Sequence, residues 1–249
     1  MDRHRLALLA DLDRDVDEYI AAMREGGMEA AYTPDIAERL IRAGRPGEAI
    51  DLLKRSRRPF DDDDTAHIDL IVEALEALGK KDEAQDARWR YFEKTLNVDS
   101  LRAYLKRLPD FEDFEAERKA FEIAAKHRSV DSALEFFVAW PNLQRSDEIV
   151  RERENEIDGG AYYRLRPVAE ALEEKYPTGA TRLYRSMVES VLHRGSSKQY
   201  PYAARDLQCC IRLAPLIVDD ASLERHATFM ARLQQSHGRK HGFWGLMKP

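Results

Sequence analysis

Gly44-Arg45-Pro46-Gly47-Glu48-Ala49-Ile50 and Gly79-Lys80-Lys81-Asp82-Glu83-Ala84-Gln85 are one device used twice, 35 positions apart. Each lies between two amphipathic stretches. Each therefore reads as the tight corner of a helical hairpin, with the leading glycine ending the first helix. A supersecondary unit recurring at that period predicts stacked hairpins, because one hairpin alone cannot bury its apolar face. Such a stack offers surface for binding and seldom gathers the groups that do chemistry.

Working outward, Ile36, Ala37, Leu40 and Ile41 form one apolar face before the first corner, and Ala49, Ile50 and Leu53 the facing one after it. Before the second corner, Ile68, Ile71, Val72, Leu75 and Leu78 repeat at helical spacing. Thr33 and Pro34 predict a helix start, as N-cap and first-turn residue. Residues 1 to 25 read as an earlier amphipathic helix, ended by Gly26-Gly27. Asp61 to Asp64 read as a solvated helix start whose carboxylates oppose the positive end of the helix.

These units resemble tetratricopeptide repeats, whose corner reads Gly-x-x-x-Glu-Ala-Ile and whose first helix has apolar, small and large residues eight, seven and four positions before that glycine. Ile36, Ala37 and Leu40 fall at those offsets in one unit, and Ile71, Val72 and Leu75 in the next. No Trp opens either unit, Val72 replaces the small residue and the closing Pro is missing, so the repeats are degenerate. The resemblance implies that positions ten and six before the glycine face a concave groove, namely Pro34 and Glu38, then Asp69 and Glu73. Relatives that hold chaperone carboxylates use Lys and Asn there. The acidic residues here imply a basic or neutral protein segment instead.

After residue 97 the spacing is less regular. Short helices are expected around Leu101 to Leu108, Phe114 to Ala124, Ala133 to Trp140, Tyr162 to Leu172, Leu183 to Val191, Ala203 to Ala214 and Leu223 to Leu233. Ala87-Arg88-Trp89, Leu101 to Phe111, Val138-Ala139-Trp140-Pro141, Ala203 to Leu207 and His237 to Lys240 with Phe243-Trp244 together resemble an uncharacterised bacterial family, domain of unknown function 6880. Longer members carry a further helical region ahead of the point where this chain starts. The resemblance thus implies a short member or a C-terminal portion, and it brings no activity, cofactor or catalytic residue with it.

Composition narrows the function classes. Of 249 residues 43% are apolar and 35% charged, with few Gly and Pro, which favours an all-helical chain. A net charge of -6 argues against binding a polyanion by bulk electrostatics. The run Leu6 to Ala10 is too short for a signal-peptide core, and no stretch is long enough to span a bilayer. Cys209 and Cys210 are sequence neighbours and cannot form an ordinary disulfide with each other. The expected location is a reducing cytoplasm.

Each motif has a plainer reading beside the chemical one. Asp11, Asp13, Asp15 and Asp17 suggest a calcium loop, but its sixth and twelfth positions hold Val16 and Ala22 where Gly and Glu are required. They read as a solvated helix face. His237 and His241 have metal spacing but no evident further ligands. Cys210 reads as a buried small hydrophobe. Arg88, Trp89, Arg90 and Arg102 read as a salt-bridged seam between helices. In the tail, Arg239 and Lys240 beside Phe243 and Trp244 form a basic aromatic cluster suited to nucleic acid. Its alternative is that the aromatics fold back and cap the last helix.

The sequence therefore predicts an all-α, right-handed helical-hairpin solenoid, tetratricopeptide-like, of about a dozen helices. Residues 1–195 form the array, with repeat units near 34–58 and 66–95, and 196–249 form a C-terminal block with a basic tail. The expected function is a cytoplasmic, non-catalytic protein-interaction scaffold without a cofactor or metal, with partner contacts at Glu38, Asp69, Glu73, Arg239, Lys240 and Trp244. A nucleic-acid module using the tail is the second reading and an enzyme without a recognisable motif the third.

Overall fold

The computed structural model describes residues 15–56, 65–217 and 221–247, and all regular structure among them is helical. It falls into two compact units, residues 1–117 and 118–249. The division lies within one helix, Glu112–Ala125.

In the first unit, α1 (Val16–Glu25), α2 (Thr33–Arg42), α3 (Pro46–Ser56), α4 (Thr65–Ala77), α5 (Lys81–Thr95) and α6 (Val98–Leu105) lead to α7 (Glu112–Ala125). The two glycine corners are the same structure. Gly44 and Gly79 have φ of 75° and 72°, the left-handed region that a Cβ resists. At the first, Gly44 N–H donates to Ile41 O at 3.0 Å and Arg45 N–H to Leu40 O at 2.8 Å. At the second, Gly79 N–H donates to Glu76 O and Lys80 N–H to Leu75 O, both at 2.9 Å. Every donor and acceptor shifts by 35 positions. This is the paired 6→1 and 5→2 closure that satisfies the last carbonyls of a helix.

Each corner joins a pair of packed helices, α2 with α3 and α4 with α5, and α4 packs in turn on both α2 and α3. The buried face follows the sequence pattern: Ile36, Ala37 and Leu40 on α2, Ala49, Ile50 and Leu53 on α3, Val72 and Leu75 on α4. These join Tyr19 and Met23 of α1 in one apolar cluster. Full burial of a side chain such as Leu53 contributes roughly 2 kcal/mol.

Two helix starts behave in their own ways. Asp15 caps α1, accepting from the N–H groups of Asp17 and Glu18 at 2.9 and 3.1 Å, so that part of the aspartate run serves the helix. Asp11, Asp13 and Asp61 to Asp64 lie outside the described residues. Thr33 is not an N-cap: Tyr32 holds that position, and the Thr33 hydroxyl donates back to Glu29 O at 3.1 Å. The turn before α2 brings that carbonyl within reach, and the hydroxyl takes it in preference to an amide ahead.

In the second unit, α8 (Val130–Ala139), α9 (Leu143–Glu152), α10 (Tyr162–Leu172), α11 (Pro177–Arg194), α12 (Tyr200–Leu213), α13 (His226–His237) and α14 (His241–Trp244) follow, giving fourteen α-helices among the described residues. Ser129 and Asn142 cap α8 and α9 through Ser132 N–H and Arg145 N–H. Helix α8 packs on α9 and α10, while α9, α10 and α12 all pack on α11. Phe121, Phe136, Phe137 and Trp140 form an aromatic cluster at ring separations of 5.1 to 6.3 Å. Helix α11 is buried nearly all round from Gly179 to Arg185, as a central helix must be. Thr181, Arg182 and Arg185 go into the interior with its apolar residues.

Candidate interaction surface

Among the residues picked from the sequence, Glu38 lies on α2 and Asp69 and Glu73 lie one turn apart on α4. Glu38 and Glu73 are 35 positions apart, at equivalent places on two packed helices. Glu38 is half-buried and ion-paired to Arg42, so its charge is partly answered from within its own helix. Glu73 is exposed. Asp69 is exposed as a residue, yet partial burial of its carboxyl raises its pKa, with Arg88 pulling it down and Asp99 adding to the rise. The first unit thus carries an acidic strip along α4, Asp69 and Glu73, and the Glu38–Arg42 pair on α2, a helix that packs on α4.

Beside that strip the expected seam between helices holds for Arg88 and Trp89, whereas Arg90 pairs with Asp86 and Arg102 with Asp99 inside their own helices. Arg88 is buried, donating from Nη2 to Glu76 at 2.7 Å and from Nη1 to Gln85 at 2.9 Å. Arg107 reaches the same Glu76 oxygen at 3.0 Å. Both guanidiniums hold the Glu76 carboxyl below its usual range, the Arg88 hydrogen bond most strongly. Trp89 packs against Phe92 and Tyr104, with its indole N–H on Glu93 at 2.7 Å. A cavity of about 560 Å³ opens between α3, α4 and α5, lined by Ile68 and Ile71 with Lys54, Glu83, Asp86 and Arg90. None of Glu38, Asp69 and Glu73 lines it.

The tail folds back. Phe243 is fully buried, edge-on to Tyr200 of α12 at 5.9 Å. Trp244 packs edge-on against Phe243, and its indole N–H donates to His237 O at 3.0 Å. Arg239 is exposed and Lys240 half-buried. Among the described residues no group of three or more His, Cys, Asp or Glu side chains is placed to hold a metal. Cys210 is buried and its thiol pushed up to about 12 by that burial, so it stays protonated and packs as a hydrophobe.

Sequence reasoning missed two features of the second unit. The first is an aromatic patch: the half-buried Tyr162 of α10 meets its neighbour Tyr163 and Tyr202 of α12, with Tyr162 and Tyr202 ring centroids 5.4 Å apart. Tyr163 is 89% exposed, and Arg205 donates to the Tyr162 hydroxyl at 2.7 Å. The second is a set of polar pairs around α11, each with at least one partner withdrawn from water. Arg166 of α10 holds the fully buried Asp206 of α12, and Arg182 reaches Glu154 and the Ser222 hydroxyl. Burial pushes Asp206 up to about 6 against the opposing pull of Arg166. Tyr184, also fully buried, donates to Glu173 at 2.8 Å, which Arg212 grips from outside. The pairing residues lie 28 to 40 positions apart in sequence, so no local spacing announces them. Only arginines 182 and 185 inside an apolar stripe gave a signal.

These features define an all-helical protein of two units with acidic and aromatic surfaces. The chain belongs to the family of unknown function known as domain of unknown function 6880, whose model matches residues 2–246, essentially its whole length. No curated protein and no solved structure matches it. No helix among the described residues is long and apolar enough to cross a membrane.

Proposed function

We propose that the chain is a non-catalytic, cytoplasmic protein-interaction scaffold whose first unit is a right-handed, tetratricopeptide-like stack with the acidic strip on its binding side. One observation carries this reading: hydrogen bonds at the two glycine corners repeat residue for residue at 35 positions, and α4 packs on the hairpin before it. Repetition of that kind leaves equivalent outward positions along successive first helices, here Glu38 and Glu73 with Asp69 beside it. Carboxylates at those places favour a segment bearing Lys or Arg and repel an acidic one. The tyrosine patch with Arg205 supports protein binding as well, since Tyr and Arg are enriched where proteins meet.

A nucleic-acid role for Arg239, Lys240 and Trp244 has less support. Phe243 is buried and the Trp244 N–H is engaged, so the aromatics needed to stack on bases are turned to the chain itself. Affinity capture from native extract with the full chain and with Glu38→Lys plus Glu73→Lys tests the proposal. The double variant is expected to lose the specifically captured protein; unchanged recovery contradicts it.

A further inference from the structure

Among the described residues, Arg88, Arg166, Arg182 and Arg185 are largely withdrawn from water. The first three each hold a carboxylate, of Glu76, Asp206 and Glu154. Arg185 does not. It is 7% exposed, its Nη1 donates to the backbone O of Glu224 at 2.6 Å, and its guanidinium lies 4.3 Å from the Phe229 ring centroid. Its Nε has no hydrogen-bond partner. The Glu224 carboxylate is turned away to Arg232, at 2.8 Å. Glu224 and Glu189 act on Arg185 through space, but neither carboxylate forms a direct ion pair with it, and a buried guanidinium without a bonded counter-ion is costly; the usual remedy is an anion.

The place for one is beside it. Arg185 lines a cavity of about 520 Å³ together with Glu224, Arg225 and His226, while Ile217 and Leu223 supply apolar wall. The twelve-residue helix α13 begins there at His226. Its N-cap, Arg225, offers no side-chain hydrogen bond to the first turn, so those N–H groups remain for a ligand. His226 Nδ1 is buried and without a partner. The guanidinium of Arg185 on α11 faces the start of α13, where Arg225 and the first-turn N–H groups lie together, and donors from two sides suit a group with oxygens in several directions better than a planar carboxylate.

We propose that this cavity between α11 and α13 binds a phosphoryl group, as free phosphate or as the monoester of a small organic molecule. Arg185 is its buried counter-ion, Arg225 closes over it, and the start of α13 supplies backbone donors. The cavity has room beyond one phosphate, and its Ile217 and Leu223 wall accommodates an organic portion.

Thermal unfolding and calorimetric titration of the full chain test the site, in phosphate-free buffer with chloride matching ionic strength. Inorganic phosphate forms one arm and glycerol phosphate the other. A rise in Tm beyond the chloride control is expected in at least one arm, and the stronger arm tells free phosphate from a monoester. Arg225→Gln should weaken the titrated affinity by about tenfold, the loss of one charge-assisted contact. Arg185→Met should abolish the response while unfolding no lower than the parent in phosphate-free buffer, because it removes a buried charge that has no bonded counter-ion. No response in either arm overturns the site. So does an affinity unchanged in Arg225→Gln, a reading that stands even where Arg185→Met fails to fold.

Discussion

The two units bury charge differently. In the first, the apolar faces of α1 to α5 close on one another and the ion pairs stay outside, as with Arg42–Glu38 and Arg45–Asp17; Arg88 is the buried exception and shares Glu76 with Arg107. In the second, the central helix α11 carries Thr181, Arg182 and Arg185 into the interior, and Asp147 and Asp206 join them there. In the first unit the two hairpins cover one another, α2 and α3 against α4, and no helix there is enclosed all round among the described residues. A helix packed by α9, α10 and α12 at once has little polar face left, so its charged residues are enclosed with its apolar ones.

The largest test of this contrast is Arg166→Met, which leaves the buried Asp206 carboxylate without its partner. Chemical denaturation should show a loss of about 3–5 kcal/mol, against under about 0.5 kcal/mol for Arg42→Met at the exposed pair with Glu38. Equal losses would erase the distinction between the units. Next comes pH. Folding raises Asp206 to about 6, above its unfolded value of roughly 4. Between those values the folded chain holds a proton that the unfolded chain has released. The contribution of Asp206 is thus complete below about pH 4 and lost as pH climbs through 6, by about 3 kcal/mol in all. Asp206→Asn should remove that slope from the stability profile; a profile with the same slope contradicts the burial account. The smaller test concerns the corners. Gly44→Ala and Gly79→Ala each force a Cβ into the left-handed region and should cost about 1–2 kcal/mol. Their near equality would sharpen the claim that the two corners are one device.

How much could be read beforehand differed between the units for the same reason. In α2 to α5 the apolar residues fall at helical spacing and glycines mark the ends, so helices, corners and core residues such as Ile36, Leu40, Leu53 and Leu75 were legible. The tail was legible in part: its aromatics fold back, one of the two readings, but Phe243 seats on Tyr200 of α12 and only Trp244 reaches the end of the last long helix, at His237 O. In the second unit, helix positions followed the pattern but the buried polar set did not. The place of Arg182 and Arg185 within an apolar stripe hints at burial but names no partner, and Glu154, Asp206 and Ser222 lie too far along the chain to be matched with their arginines by spacing. The tyrosine patch needed tertiary structure, because Tyr202 comes from a different helix than Tyr162 and Tyr163. At the candidate surface, residue identities at 38, 69 and 73 were readable, whereas the Arg42 pairing of Glu38 and the partial burial of Asp69 were not.

Zero-length carbodiimide crosslinking of the full chain in native extract, read by mass spectrometry, addresses the scaffold claim most directly, because it joins carboxylates to amines in contact. The acidic strip predicts links from Asp69 or Glu73 to lysines of a second protein, lost when that protein is competed away by excess unlinked chain. Links to other proteins that run only through Lys240, with Asp69 and Glu73 recovered unmodified, would contradict it.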